Sequence, residues 1–131
     1  MSHMRVAEAA ELLGVSTDTV RRAIDGGRLS ASKDAAGKSV VPGAEVAALA
    51  ADLHTAPPVG TVGSTSSRNQ MRGIVTRIVM DTVMAQVDMQ AGPFRLVSLL
   101  SAEAVREMGL EVGSVAVASI KATHVTVGVP T

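Results

Sequence analysis

The apolar residues of this chain change their period partway along, and that change limits the fold more than any single motif does. Through about residue 51 they recur at three- and four-residue spacing, the mark of amphipathic helices. Val6, Ala9, Ala10 and Leu13 form one such face, with Glu8 and Glu11 on the other side. Gly14 breaks this run, and Ser16 offers an N-cap for a second helix through Ile24, which the Gly26-Gly27 pair ends. An extended piece at Leu29–Ser32, turn residues 33–38 and a returning strand at Val40-Val41 predict a small hairpin. Pro42 and the Ala-rich run from Ala44 to Ala51 predict a third helix. Beyond residue 65 the spacing falls toward two. Strands are expected at Arg72–Val79, Val83–Met89, Phe94–Leu100, Ser114–Ile120 and Ala122–Val127. Between the third and fourth, Ser101 caps a short helix that Gly109 stops.

Five short strands with that helix position give the element order of a small OB-like Greek-key barrel. Residues 52–64, which hold Pro57, Pro58, Gly60 and Gly63, read as a linker. The expected class is therefore α+β. A small winged helix-turn-helix occupies 1–51, the linker 52–64, and a five-stranded Greek-key β-barrel 65–131. Twelve Lys and Arg balance twelve Asp and Glu, which excludes a polybasic tail or an acidic solvating protein. No apolar run reaches the roughly 18 residues of a membrane span, so no membrane partner is expected. The first residues lack the basic-then-apolar pattern of a signal peptide and cysteine is absent, so a cytoplasmic location is expected. Phe94 is the sole aromatic residue, which argues against a surface on which single-stranded bases stack.

Helix, three-residue turn, helix is the geometry that places a second helix in the DNA major groove. That second helix carries Thr17, Thr19, Arg21 and Arg22, and the hairpin adds Arg28, Lys33 and Lys38. Residues 1–20 carry a net charge of −2 and residues 21–38 a net charge of +3, so the positive charge gathers where a duplex would lie. On spacing alone Arg21 and Arg22 also fit a solvated helix face. The run "RVAEAAELLGVSTDTVRRAIDGGRLSAS", followed by "GKSVVPGAEVAAL", resembles the winged helix-turn-helix of the MerR and excisionase group. The resemblance implies double-stranded DNA as a partner. Ala23 stands where that group usually has an aromatic, and the wing is less basic than usual, which implies weak binding per subunit, multiplied by dimerisation.

In the second half, "TSSRNQMRGIV" concentrates donors before a strand: the Ser66 and Ser67 hydroxyls, the Arg68 guanidinium and the Asn69 amide. "SIKAT" places Lys121 at a strand boundary beside Ala122, and Ser101 sits at a helix N-cap. Fixed cations plus hydroxyl and N–H donors suit a doubly charged tetrahedral anion. A donor-only site selects against phosphate, which at neutral pH also needs an acceptor for its proton. Plainer roles fit the same residues: Ser101 as a cap alone, Lys121 as a surface lysine, Arg68 paired with Asp88 or Glu111. The combination "TSSRNQMRGIV…LLSAEAVREMGLEVGS…ASIKATHV" is similar to the Mop domain, a TOBE-type barrel of molbindins and ModE-type molybdate regulators. The resemblance implies molybdate or tungstate held by Ser66, Arg68, Ser101 and Lys121, with main-chain groups around Ser67 and Ala122. It also implies sites between subunits, hence at least a dimer, and in molbindins a hexamer of three dimers. Ser67 stands where Ala is common and Ser101 where Thr is frequent.

Other chemistries lack their motifs. Ser30 and Lys33 satisfy S-x-x-K without its companion motifs, and the phosphate- and dinucleotide-binding glycine signatures are missing. His3, His54 and His124 form no zinc spacing, so neither a metal site, a cofactor nor an enzyme is expected. Two functions fit: a molybdate-responsive DNA-binding regulator, or a storage oligomer whose helical head does not act on DNA.

Overall fold

A computed structural model describes residues 2–53, 59–60 and 64–131. Most of the expected linker, including His54, Pro57, Pro58 and Gly63, lies outside the described residues. The chain forms two units, Met1–Thr55 and Ala56–Thr131. Among the described residues no helix is long and apolar enough to cross a membrane.

In the first unit, α1 (Val6–Leu13) stops at Gly14, whose φ of 69° only glycine adopts cheaply. The chain then turns into α2 (Thr17–Asp25), where the Ser16 hydroxyl accepts the Thr19 N–H at 3.1 Å. A three-stranded antiparallel sheet follows the order β1-β3-β2, formed by β1 (His3–Arg5), β2 (Ser32–Lys33) and β3 (Ser39–Pro42). Helix α3 (Gly43–Asp52) closes the unit over a core of Ala9, Ala10, Val20, Leu29, Val41, Val46 and Leu49. Two details differ from the sequence expectation. Strand β1, which has no periodic signature, forms because β3 offers it a free edge. Leu29 plugs the core instead of starting β2, and the Ser30 N–H bonds the Glu45 carboxylate at 2.7 Å, so the strand begins only at Ser32.

The second unit is an antiparallel sheet curled as a half-barrel, in the order β6-β5-β4-β7. Its strands are β4 (Asn69–Met80), β5 (Met84–Ala91), β6 (Phe94–Ser101) and β7 (Val115–Ile120). Three consecutive strands with the fourth returning beside the first make the Greek key. Helix α4 (Ala102–Met108) connects β6 to the turn before β7 and buries Ala102 and Val105. Val75, Ala85, Val87, Met89 and Val105 form the core. The long strand β4 pairs with β7 through its first half and with β5 through its second, with a register shift between Val75 and Arg77.

The expected fifth strand at Ala122–Val127 is not formed. Ala122–His124 make a 3-10 turn, the Val125 N–H bonds back to the Ala122 carbonyl, and the residues beyond run exposed. A strand exists only where a second backbone edge accepts it, and among the described residues none pairs with this segment. A cleft of about 520 Å³, lined by Leu96, Leu100, Met108, Leu110, Ala116 and Ala118 among others, stays open between β6 and β7.

Candidate functional site

The candidate anion site is assembled by strand pairing. Asn69, the first residue of β4, faces Ile120, the last residue of β7, and its side-chain amide donates to the Ile120 carbonyl at 3.1 Å. Arg68 immediately precedes this pair and Lys121 immediately follows it. Antiparallel register therefore brings the two cations to the same end of the same strand pair. Both are exposed, and among the described residues neither has a carboxylate partner. Ser67, half-buried, donates its N–H to the Thr65 hydroxyl at 3.1 Å, a local turn that leads into β4 with Ser66 exposed beside it. Lys121 also opens the 3-10 turn that contains Ala122, and the first N–H groups of such a turn have no acceptor within it. One end of the sheet thus gathers two cations, hydroxyls and main-chain donors.

Asn69 is committed to bracing β4 against β7, so its amide is a scaffold group at this end. Ser101 is elsewhere. It lies on the edge strand β6 opposite Met84, beyond the Met80 end of β4, with the twelve residues of β4 between it and Arg68 along the sheet. Its hydroxyl oxygen accepts the Ala104 N–H at 3.0 Å, which leaves the hydroxyl hydrogen to donate. The alternative pairing of Arg68 with Asp88 or Glu111 does not occur. Asp88 is buried in mid-sheet, where Arg95 donates to it through Nε at 3.1 Å and Nη2 at 2.7 Å, and the Gln86 amide donates at 3.0 Å. The Gln86 and Arg95 hydrogen bonds hold its carboxyl below the ordinary carboxylate value.

In the first unit, α2 turns Val20, Ala23 and Ile24 inward and exposes Arg21 and Arg22. Thr17 is half-buried, and the Thr19 hydroxyl is held by Ser16 at 2.9 Å, so Thr19 serves the helix cap. Three of the expected DNA cations have partners within the unit. Arg21 pairs with Asp18 at 3.5 Å, Arg28 with Asp52 at 3.1 Å, and Lys33 donates to the Ser39 hydroxyl at 3.0 Å. Arg22 and Lys38 have no carboxylate partner among the described residues. The wing turn is held by Asp34, which accepts the Lys38 and Ala36 N–H groups at 2.9 Å each and pairs with Arg5 at 3.4 Å. Those backbone bonds, Lys38 foremost, lower its pKa. Sequence reasoning missed the three carboxylates Asp18, Asp34 and Asp52. The three-residue spacing of Asp18 and Arg21 could have been noticed, whereas Arg28 and Asp52 meet only through the fold. Among the described residues no cluster of His, Asp or Glu could hold a metal ion.

Comparison with known proteins places both units. Residues 65–127 match the TOBE domain family and residues 4–53 match a helix-turn-helix domain family. Over 65 residues the chain is 46% identical to a probable molybdenum-pterin-binding protein of Haemophilus influenzae, covering 49% of this chain and 94% of that protein. Among solved structures, it is similar to a molybdate binding protein from Sporomusa ovata at 32% identity and a TM-score of 0.48. That match covers 50% of this chain and 97% of the other. MopII from Clostridium pasteurianum matches at 31% identity and a TM-score of 0.48, over 50% of this chain and all of that one.

Proposed function

The chain belongs to the TOBE family and carries a helix-turn-helix domain ahead of its TOBE domain, and from that premise we propose that it binds molybdate or tungstate and regulates transcription. The observation that carries the oxyanion half is the register of β4 against β7, which sets Arg68 and Lys121, both without carboxylate partners among the described residues, at one end of one strand pair. A tetrahedral dianion fits a donor-only surface. Arg68 and Lys121 supply charge, Ser66 and Ser67 and the amides around Ala122 supply hydrogen bonds, and no proton has to be accepted.

Ser101 joins such a site only from a second copy, because its own sheet holds it at the opposite end. A second copy is also supported by the open cleft between β6 and β7 and by the exposed tail, where Val127 and Val129 are 92% and 88% accessible. Alternating valines that pair with no strand among the described residues suit a strand added to another subunit. Bound oxyanion then favours one arrangement of subunits, and through it one spacing of paired DNA-reading heads. No catalytic step is assigned to any residue.

Calorimetry with molybdate, tungstate, sulfate and phosphate tests the oxyanion half. Wild type is expected to bind the first two and to reject phosphate, and Arg68→Ala to lose binding. Equal response to all four anions sinks it. A second reading, oxyanion storage without DNA binding, is favoured by the cations of the head being tied to Asp18 and Asp52. A salt series separates the two, since a regulator shows a specific duplex and a steep salt slope and a storage protein shows neither.

A further inference from the structure

The exposed stripe of α2 has an unusual charge order for a helix meant to lie against phosphates. Asp18, Arg21, Arg22 and Asp25, spaced i, i+3, i+4 and i+7, are all exposed on one face, opposite Val20, Ala23 and Ile24. Two acids flank two bases, so the stripe has no net charge and gains little from a phosphate backbone. At the N-terminal end, which enters the major groove in this motif, the Arg21 guanidinium Nη1 lies 3.5 Å from Asp18 Oδ1, with 64% and 76% of the two side chains accessible.

A carboxylate here is a liability for sequence-independent binding, because it faces the phosphates' own charge. It has two uses in sequence reading. It favours the arginine rotamers that reach back toward Asp18, a small bias for an exposed i, i+3 pair. It also leaves the rest of the guanidinium fork to meet the O6 and N7 acceptors of guanine, the commonest specific contact in the major groove.

We propose that Asp18 is a positioning and specificity residue of the head, which holds Arg21 for a guanine in duplex DNA and suppresses binding to other sequences. This rests on the DNA-reading half of the proposed function and not on its oxyanion half. Arg21 makes the base contact; Asp18 acts through it. Thr19, occupied at the cap, takes no part, and Arg22 supplies the phosphate contact.

The test is selection by the full chain from duplexes with a randomised centre, at one fixed salt concentration. Affinities of wild type, Asp18→Asn and Arg21→Lys for the selected and a scrambled duplex follow, with circular dichroism melts as the folding control. Wild type is expected to select a fixed G·C pair. Arg21→Lys keeps the charge but loses the fork, and preference at that pair falls by roughly tenfold. Asp18→Asn is expected to weaken the selected duplex while tightening the scrambled duplex several-fold. That opposite movement is one a loss of helix stability cannot produce. Equal weakening of both duplexes by Asp18→Asn overturns the proposal, as does a selected motif that both variants share unchanged. If wild type selects no duplex over the scramble, the DNA-reading half falls with it, whereas a molybdate isotherm depends only on the other unit's residues.

Discussion

Gly73→Ala tests the strand crossing on which the candidate anion site is mounted. Gly73 sits in β4 at the point where its partner changes from β7 to β5. A Cβ added there lies 2.5 Å from the Gln90 carbonyl oxygen, 3.1 Å from the carbonyl carbon and 3.2 Å from Ala91 Cα. All three are backbone atoms, so no side chain can rotate out of the way. The strands must part by about half an ångström before the contact becomes tolerable, and overpacking of this kind costs roughly 1–3 kcal/mol. A rigid contact between two paired strands belongs at the upper end, about 3 kcal/mol. At roughly 4–8 °C per kcal/mol for a domain of this size, the second unit is expected to melt about 12–24 °C lower. The chain has no Trp or Tyr, so far-ultraviolet circular dichroism or calorimetry follows the transitions, and that of the helical unit should stay in place. A Gly73→Ala protein melting within about 2 °C of wild type would refute the close approach and the register built on it.

Three further expectations concern other parts of the chain. Ser16→Ala removes the acceptor of the Thr19 N–H and should cost the helical unit about 1 kcal/mol, read as a lower melting temperature for that unit alone. Asp88 has a folded pKa below its unfolded value of about 3.9, so its contribution is complete above that value and is lost as pH falls through the lower folded one. Asp88→Asn should therefore lower the urea midpoint at neutral pH and shrink the difference between neutral and acid midpoints; parallel pH curves for the two proteins would count against the Gln86 and Arg95 bonds to this carboxylate. Removal of residues 125–131 should leave the half-barrel folded, since its core contains none of them, while sedimentation shows a smaller assembly. Unchanged sedimentation would remove the tail from the subunit contact.

The sequence was most legible where local chemistry decides. Ser16 and Ser101 cap helices, and Gly14 and Gly109 end helices with φ of 69° and 64°, because caps and left-handed glycines act within a few residues of themselves. The order of strands followed from turns of the same local kind, such as the one Asp81 fixes by accepting the Val83 and Met84 N–H groups. Legibility failed where pairing is distant. Strand β4 extends from Asn69 to Met80, past the expected Arg72–Val79, because β7 prolongs one end and β5 the other. Alternation shows a face but not the partner that recruits flanking residues into a ladder. The candidate site had the same limit: Arg68 and Lys121 could be singled out by type, while their common position depends on the Asn69–Ile120 register.

The alternating valines near the C-terminus, Val125, Val127 and Val129, carry the spacing of a strand and form none, because among the described residues no strand edge pairs with them. Ser101 raises the same difficulty at the chemical level, since one sheet cannot bring its hydroxyl to Arg68. A second copy would resolve both at once, and on the proposed reading this couples assembly to ligand. Oxyanion that binds only the assembled form stabilises it by RT ln(1 + [L]/Kd), about 2.7 kcal/mol at a hundredfold excess over Kd. That is within the roughly 1–3 kcal/mol typical of coupling between sites, and enough to change how often two weakly binding heads are presented together. The neutral stripe of α2 then serves regulation, because a head that held any duplex tightly alone would gain little from being paired.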